Sequence, residues 1–397
     1  MKNKKSGSAG KVLYAQAVYD SAEINAVVDV LKHPTKIGGG VAVKEFEQKI
    51  AGLFGKKYGV MVNSGSSANL IALEVLNLPA GSEVITPVLT FGTTLSPIIQ
   101  KGLTPTFVDV KPGTYTIDID KIESMITPKT QVLMIPSLFG NVPDMIRLRK
   151  IADKYDLWLI EDSCDTLGAR FAGKPTGYYS DISTTSFYAS HVITAAGGGG
   201  MACFHDPNLA RKAKIISCWG RESTLFGLHE QSEDIRKRFA GRIEGRVYDA
   251  KFIFSEVGYN FQVPEMFGAF GLEQLKKFPE FARRRKKNFK ELLAFFAKYE
   301  DLFVLPKQTP RSETNWLAFP LTIRENANFS RYDLAKYLEE HGIQTRPIFT
   351  GNALKQPAFR KLKRVKVDTK GYPVADDITL NGFVIGCHHG LTQKDIA

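Results

Sequence analysis

Seven short apolar runs, alternating with stretches of helical spacing, constrain this 397-residue chain more than any other feature. The runs fall at 58–62, 84–87, 106–110, 132–135, 157–161, 182–187 and 201–204. Each has the length of a buried strand, and segments such as 67–77, 144–155 and 208–216 space their apolar residues as helices do. Alternation of this kind implies a mostly parallel sheet covered on both faces. Beyond about residue 270 the pattern changes. A long basic helical stretch leads into an apolar run at 316–323, a helix at 331–341 and a last strand at 383–385, which together read as a smaller α+β unit. The expected organisation is a tail at 1–10, a large α/β domain at 11–270 and a small α+β domain at 271–397.

With 43% apolar and 24% charged residues, the chain has the composition of a globular protein. Cys164, Cys203, Cys218 and Cys387 lack CxxC spacing, which argues against a disulfide framework and for a reducing, cytoplasmic setting. No run approaches the ~20 apolar residues of a membrane span. The opening MKNKKSGSAG is basic without an apolar core, so it reads as a disordered tail rather than a signal peptide. The closing Gln393-Lys394-Asp395-Ile396-Ala397 reads as the first turn of a helix cut short. A net charge of +12 favours anionic partners. The densest basic run, Arg283 to Lys287, lies in helical spacing and reads as a solvated face. No zinc-finger, RRM or KH pattern accompanies it, so a nucleotide diphosphate is a better match than a nucleic acid.

Four segments carry chemistry. Asn63-Ser64-Gly65-Ser66 follows a strand and opens a helix, where small residues let backbone N–H groups approach a phosphate; taken alone, it is also an ordinary helix cap. Phe91 lies in the loop after the second strand, at the edge where parallel sheets gather ligands, though an aromatic there can equally plug a core. Asp162 emerges from a buried strand, and a charge in that position needs a partner. Ser186-Phe187-Tyr188-Ala189-Ser190-His191 then leads into Gly197-Gly198-Gly199-Gly200.

These segments, in this order over residues 15 to 390, resemble the DegT/DnrJ/EryC1/StrS sugar aminotransferase family of fold type I enzymes dependent on pyridoxal phosphate (PLP). The resemblance implies the aspartate aminotransferase-like fold. It assigns Gly65, Ser66 and Ser186 to the cofactor phosphate, Phe91 to stacking on the pyridine ring, Asp162 to the ring nitrogen, and Asp165 to the cofactor site as well. Asn260, in Gly258-Tyr259-Asn260-Phe261, would reach the phosphate of a neighbouring subunit, implying a homodimer with shared sites. At position 191 the family carries a lysine that forms a Schiff base, which an imidazole cannot do. His191 therefore places the chain with the sugar 3-dehydratase branch, in which the cofactor is held without a covalent bond.

Within that branch, the implied substrate is a nucleotide-linked 4-keto-6-deoxy sugar, in the biosynthesis of 3,6-dideoxy sugars such as those of lipopolysaccharide O-antigens. Pyridoxamine phosphate (PMP) condenses with the C4 ketone, His191 removes a proton from the cofactor methylene, and the C3 hydroxyl leaves as water. An imidazole of pKa ~6.5 suits both proton transfers. L-Glutamate would regenerate PMP. Arg221, Arg346 and His388 lie in segments that match the branch and are candidate substrate ligands. Two departures stand out. Gly197 occupies the place of a family glutamate, and no cysteine lies between Cys218 and Cys387, where cluster-bearing relatives hold an iron–sulfur centre. The chain is therefore expected to lack a cluster and any other metal. An aminotransferase on the same scaffold and a catalytically silent PLP- or sugar-binding regulator remain as alternatives. The sugar epimer and the nucleotide, CDP, GDP or dTDP, are not legible.

Overall fold

In the computed structural model, which describes residues 10–397, the seven runs form one sheet. The expected tail at 1–10 lies, apart from Gly10, outside the described residues. The strands are β1 (Tyr58–Val62), β2 (Glu83–Pro87), β3 (Thr104–Val108), β4 (Thr130–Pro136), β5 (Trp158–Asp162), β6 (Ile182–Ser186) and β7 (Gly200–Phe204). Their order is β1-β7-β6-β5-β4-β2-β3, and β7 runs antiparallel to both its neighbours while the other pairs are parallel. β3 lies two residues earlier than the run at 106–110 suggests. The chain leaves the sheet at Asp109 because that carboxylate turns to accept from the N–H groups of Val374 and Ala375 at the start of a distant helix.

The alternation of side chains within the buried strands explains how the sheet is covered. Val132, Met134 and Ile160 pack on one face with Ile71 and Ala72 of the helix Gly65–Glu74, here α3 after α1 (Ser21–Leu31) and α2 (Val41–Leu53). Leu133, Ile135 and Leu159 pack on the other face, with Leu148 and Ile151 of the helix Met145–Tyr155. Six of the seven strands share a direction, so the ends of β1, β2, β5 and β6 collect the four segments read as chemical at one edge of the sheet.

A second sheet, fully antiparallel, joins β8 (Phe303–Val304), β9 (Ala318–Ile323), β11 (Gly382–Gly386) and β10 (Thr345–Pro347) in that order. The 32-residue helix Glu265–Phe296 links the two sheets and crosses the division expected near residue 270. Its first half packs on α1 and α2, and its second half buries Phe289 and Leu292 against Phe319 of β9. The same apolar cluster takes in Val88, Leu89 and Phe107 from the edge of the large sheet, so the two sheets share a core.

The basic run on this helix departs from its reading as a wholly solvated face. Arg283, Lys286 and Lys287 are exposed, but Arg285 is fully buried. Its position on the helix is in phase with Phe281, Phe289 and Leu292, so helical geometry points it inward with them. No helix among the described residues is long and apolar enough to cross a membrane.

Candidate active site

At the start of α3, Ser64 caps the helix by accepting from the Ser67 N–H, leaving Gly65 and Ser66 at its open end. The first N–H groups of a helix have no acceptor within it and carry the positive end of its dipole. Gly65 is required by packing: a Cβ there would stand 2.6 Å from Ser186 Cβ and 2.8 Å from Cys164 Sγ. The Ser66 hydroxyl donates to Thr93 Oγ1 at 2.9 Å. This brings Gly65, Ser66 and Ser186 to one place, as a phosphate cradle requires. The Ser186 hydroxyl oxygen also accepts from the Tyr188 N–H at 3.2 Å, shaping the turn that follows.

Asp162 is buried at the end of β5 and held from two sides. Asn69 Nδ2 and Thr94 Oγ1 both donate to its Oδ2, at 2.8 and 2.7 Å, and the Cys164 N–H donates to Oδ1 at 3.2 Å. Asn69 sits one helical turn beyond Gly65, and its own oxygen accepts from Thr184 Oγ1 at 2.6 Å. Sequence reading missed Asn69 and Thr94, although the first lies four residues after Gly65 on the same helix face and the second three residues after Phe91.

The half-buried His191 lies beyond Ser186. Its Nδ1 is 2.6 Å from the Cys164 carbonyl oxygen, so Nδ1 carries the proton and Nε2 is the basic atom of the neutral ring. Burial is the main reason its pKa falls to about 4; the hydrogen bond to Cys164 opposes this and Arg285 adds to it. The resting ring is a weaker base and, once protonated, a stronger acid.

Phe91 caps the helix Gly92–Gln100 and leaves half its surface open. Its edge meets Phe349 at 5.6 Å, and Phe349 stacks on Phe139 at 4.7 Å. Asp165 Oδ2 accepts from the Phe139 N–H at 2.9 Å, fixing a residue whose φ of 54° is unusual for a side-chain-bearing position. One oxygen of Asp165 is thus committed to this loop. Burial pushes the Asp165 carboxyl up to about 7, helped by the charge of Asp162.

The remaining candidates are dispersed. Asn260 is exposed and bridges Cys218 through its backbone, and among the described residues no hydrogen bond joins it to Asp162 or His191. Arg221 lies over the Trp219 ring at 4.3 Å and lines a cleft of 470 Å³ with Gly39, Gly40, Lys44, Lys214 and Lys251. Asp162 and His191 do not line that cleft. Arg346 is exposed, 3.9 Å from Glu339. His388, also expected as a substrate ligand, is buried; its Nδ1 accepts from the Gly390 N–H at 3.1 Å and its Nε2 faces the Leu13 carbonyl at 3.1 Å. Both ring nitrogens are occupied by backbone. Gly197 has φ of +94°, a conformation side-chain-bearing residues avoid, so the family's glutamate does not fit this turn unchanged. No group of three or more metal-ligating side chains is found among the described residues.

The model of the DegT/DnrJ/EryC1/StrS aminotransferase family matches residues 18–397. The chain belongs to this family. Within the DegT/DnrJ/EryC1/StrS group it is 38% identical to the lipopolysaccharide biosynthesis protein RfbH of Salmonella typhimurium, over 88% of this chain and 82% of that protein. It is 34% identical to the GDP-4-keto-6-deoxy-D-mannose 3-dehydratase of Yersinia pseudotuberculosis, over 94% and 93%. A crystal structure of GDP-4-keto-6-deoxymannose-3-dehydratase with a trapped PLP-glutamate geminal diamine superposes with a TM-score of 0.85 at 30% identity, covering 96% of this chain and 97% of that one. The fold is thus that of the PLP-dependent enzymes of this family, as the order of its motifs implies.

Proposed function

We propose that this protein is a PMP-dependent 3-dehydratase that removes the C3 hydroxyl of a nucleotide-linked 4-keto-6-deoxyhexose. The observation that carries the reading is His191, with Nδ1 pinned on the Cys164 carbonyl and Nε2 left basic, at the position where the family places a lysine. The likeness to 3-dehydratases supports it.

The residues present fit the cofactor. Gly65, Ser66 and Ser186 would hold its phosphate, Phe91 would cover one ring face, and Asp162, aimed by Asn69 and Thr94, would hold a protonated ring nitrogen. Bound PMP supplies an amine for the substrate ketone and a ring that accepts electrons. The carboxylate of Asp162 favours the charged form of that ring. His191 Nε2 accepts a proton and, as imidazolium, delivers one to the departing hydroxyl; its low pKa favours the second task. L-Glutamate is the proposed amine donor, and the absence of a lysine at 191 means the cofactor is held without a covalent bond.

The Arg221 cleft suits a diphosphate. Among the described residues, Arg221 Nε is buried there without a hydrogen-bond partner, beside Lys44, Lys214 and Lys251. Asn260, exposed on this chain, would complete the phosphate site of a second copy in a homodimer. Arg346 remains a substrate candidate.

A panel of CDP-, GDP- and dTDP-linked 4-keto-6-deoxy sugars, incubated with the protein, PLP and glutamate, tests the reading by mass spectrometry. Loss of water from the sugar without a reductase protein supports it. An amino sugar as the sole product, or a requirement for iron and an electron-transfer partner, overturns it.

A further inference from the structure

Arg285 is a fully buried guanidinium, and all its hydrogen bonds go to neutral acceptors. Nη1 donates to the carbonyls of Trp316 and Leu317 at 3.2 and 3.0 Å, and Nε donates to His389 Nδ1 at 3.1 Å. Nη2 donates to the His191 carbonyl at 3.3 Å. No salt bridge to Arg285 exists among the described residues. Burying a charge in this way is costly unless something in the molecule gains from it. The four partners come from three separate parts of the chain: the loop of His191, the approach to β9 and the segment after β11.

We propose that Arg285 is a positioning residue for His191, tying its loop to the small sheet through the His191 carbonyl and placing an unneutralised guanidinium beside the imidazole. The proposal rests on the reading of His191 as the proton-moving group. The charged groups facing His191 are Arg285 from the long helix and Asp162 from the end of β5, and they act in opposite senses. Asp162 draws a proton to the ring, while Arg285 repels one. Removing Arg285 leaves burial alone to oppose Asp162.

The field of Arg285 also reaches His388 and His389, disfavouring their protonated forms. His389, stacked on Phe281 at 3.9 Å, must present an unprotonated Nδ1 to receive the Arg285 N–H. Burial is the main cause that keeps these three imidazoles unprotonated, and the single cation of Arg285 adds to it at each of them.

The test is the titration of His191 itself, followed by NMR of the imidazole nitrogens in the cofactor-free protein. In the wild type His191 should remain neutral at pH 5. In Arg285→Gln, which keeps a donor but removes the charge, its midpoint should rise by about one unit, a common size for such perturbations. The acid limb of the dehydration rate should move with it. Arg285→Lys provides a second variant: restoration of the charge should bring the His191 midpoint back toward the wild-type value, while loss of the guanidinium fork leaves kcat below it with little change in PMP affinity. An unchanged His191 midpoint and unchanged pH profile in folded Arg285→Gln overturn the proposal. If the midpoint moves but His191→Asn retains normal dehydration, the electrostatic role stands and the catalytic reading of His191 fails.

Discussion

The imidazole of His191 is held by the Cys164 carbonyl oxygen, 2.6 Å from Nδ1. Cys164 follows Asp162 by two residues, and its N–H donates to Asp162 Oδ1 at 3.2 Å. The proposed proton carrier and the proposed partner of the ring nitrogen are thereby fixed by the same short turn after β5. Movement of either is felt by the other.

Replacing His191 by Asn removes the titrating nitrogen but keeps a polar group. Dehydration should fall by about two to four orders of magnitude, the usual worth of a positioned acid–base. PMP affinity, measured by absorbance titration, should change little. Near-normal dehydration in this variant would make His191 structural.

Borohydride treatment of the wild type with PLP should leave the peptide containing residue 191 unlabelled, because no lysine occupies that position. His191→Lys should instead give a reduced pyridoxyl adduct in the peptide containing residue 191, detected by mass analysis. An adduct in that peptide of the wild type would contradict non-covalent binding.

Gly65→Ala forces a Cβ to within 2.6 Å of Ser186 Cβ and 2.8 Å of Cys164 Sγ. Overpacking of this kind costs about 1–3 kcal/mol. It should also displace the phosphate cradle, weakening PMP binding by about tenfold or more, in line with 1.4 kcal/mol per decade. Equilibrium dialysis and denaturant unfolding measure the two effects separately.

Stability should depend on pH through buried histidines. Burial lowers the pKa of both His191 and His388 to about 4, below the ordinary 6.5. Below pH 6.5 the unfolded chain binds protons that the folded chain refuses, so their contribution is present above 6.5 and is lost as pH falls toward 4. Asp165 works in the opposite sense: its raised pKa of about 7 makes its contribution largest below the ordinary value near 3.8 and lost as pH rises through 7. Denaturant midpoints between pH 7 and 4 should show a net loss toward acid, and Asp165→Asn should steepen that loss by removing the opposing term. A flat profile in wild type and variant alike would contradict both assignments.

The sequence by itself determined the layered architecture, because strand-length apolar runs separated by helical spacing have few ways to bury both faces. It also determined the order of the cofactor segments: each follows a strand, and parallel strands must end at the same edge. The singular residue at 191 was legible for the same reason, since a lysine and a histidine differ in the bond they can form. What only the tertiary structure decided are the partners that come from far along the chain. Asn69 and Thr94 meet Asp162 because α3 and the loop after β2 converge on the end of β5. His388 carries the same chemistry as a ligand, but the Gly390 N–H and the Leu13 carbonyl, the latter 375 positions away, occupy its ring. Arg285 sits in a run of five basic residues, four of which are not buried. Its phase with Phe281, Phe289 and Leu292 is a local sign that it turns inward, but its meeting with the His191 carbonyl is set by the elements that close around it.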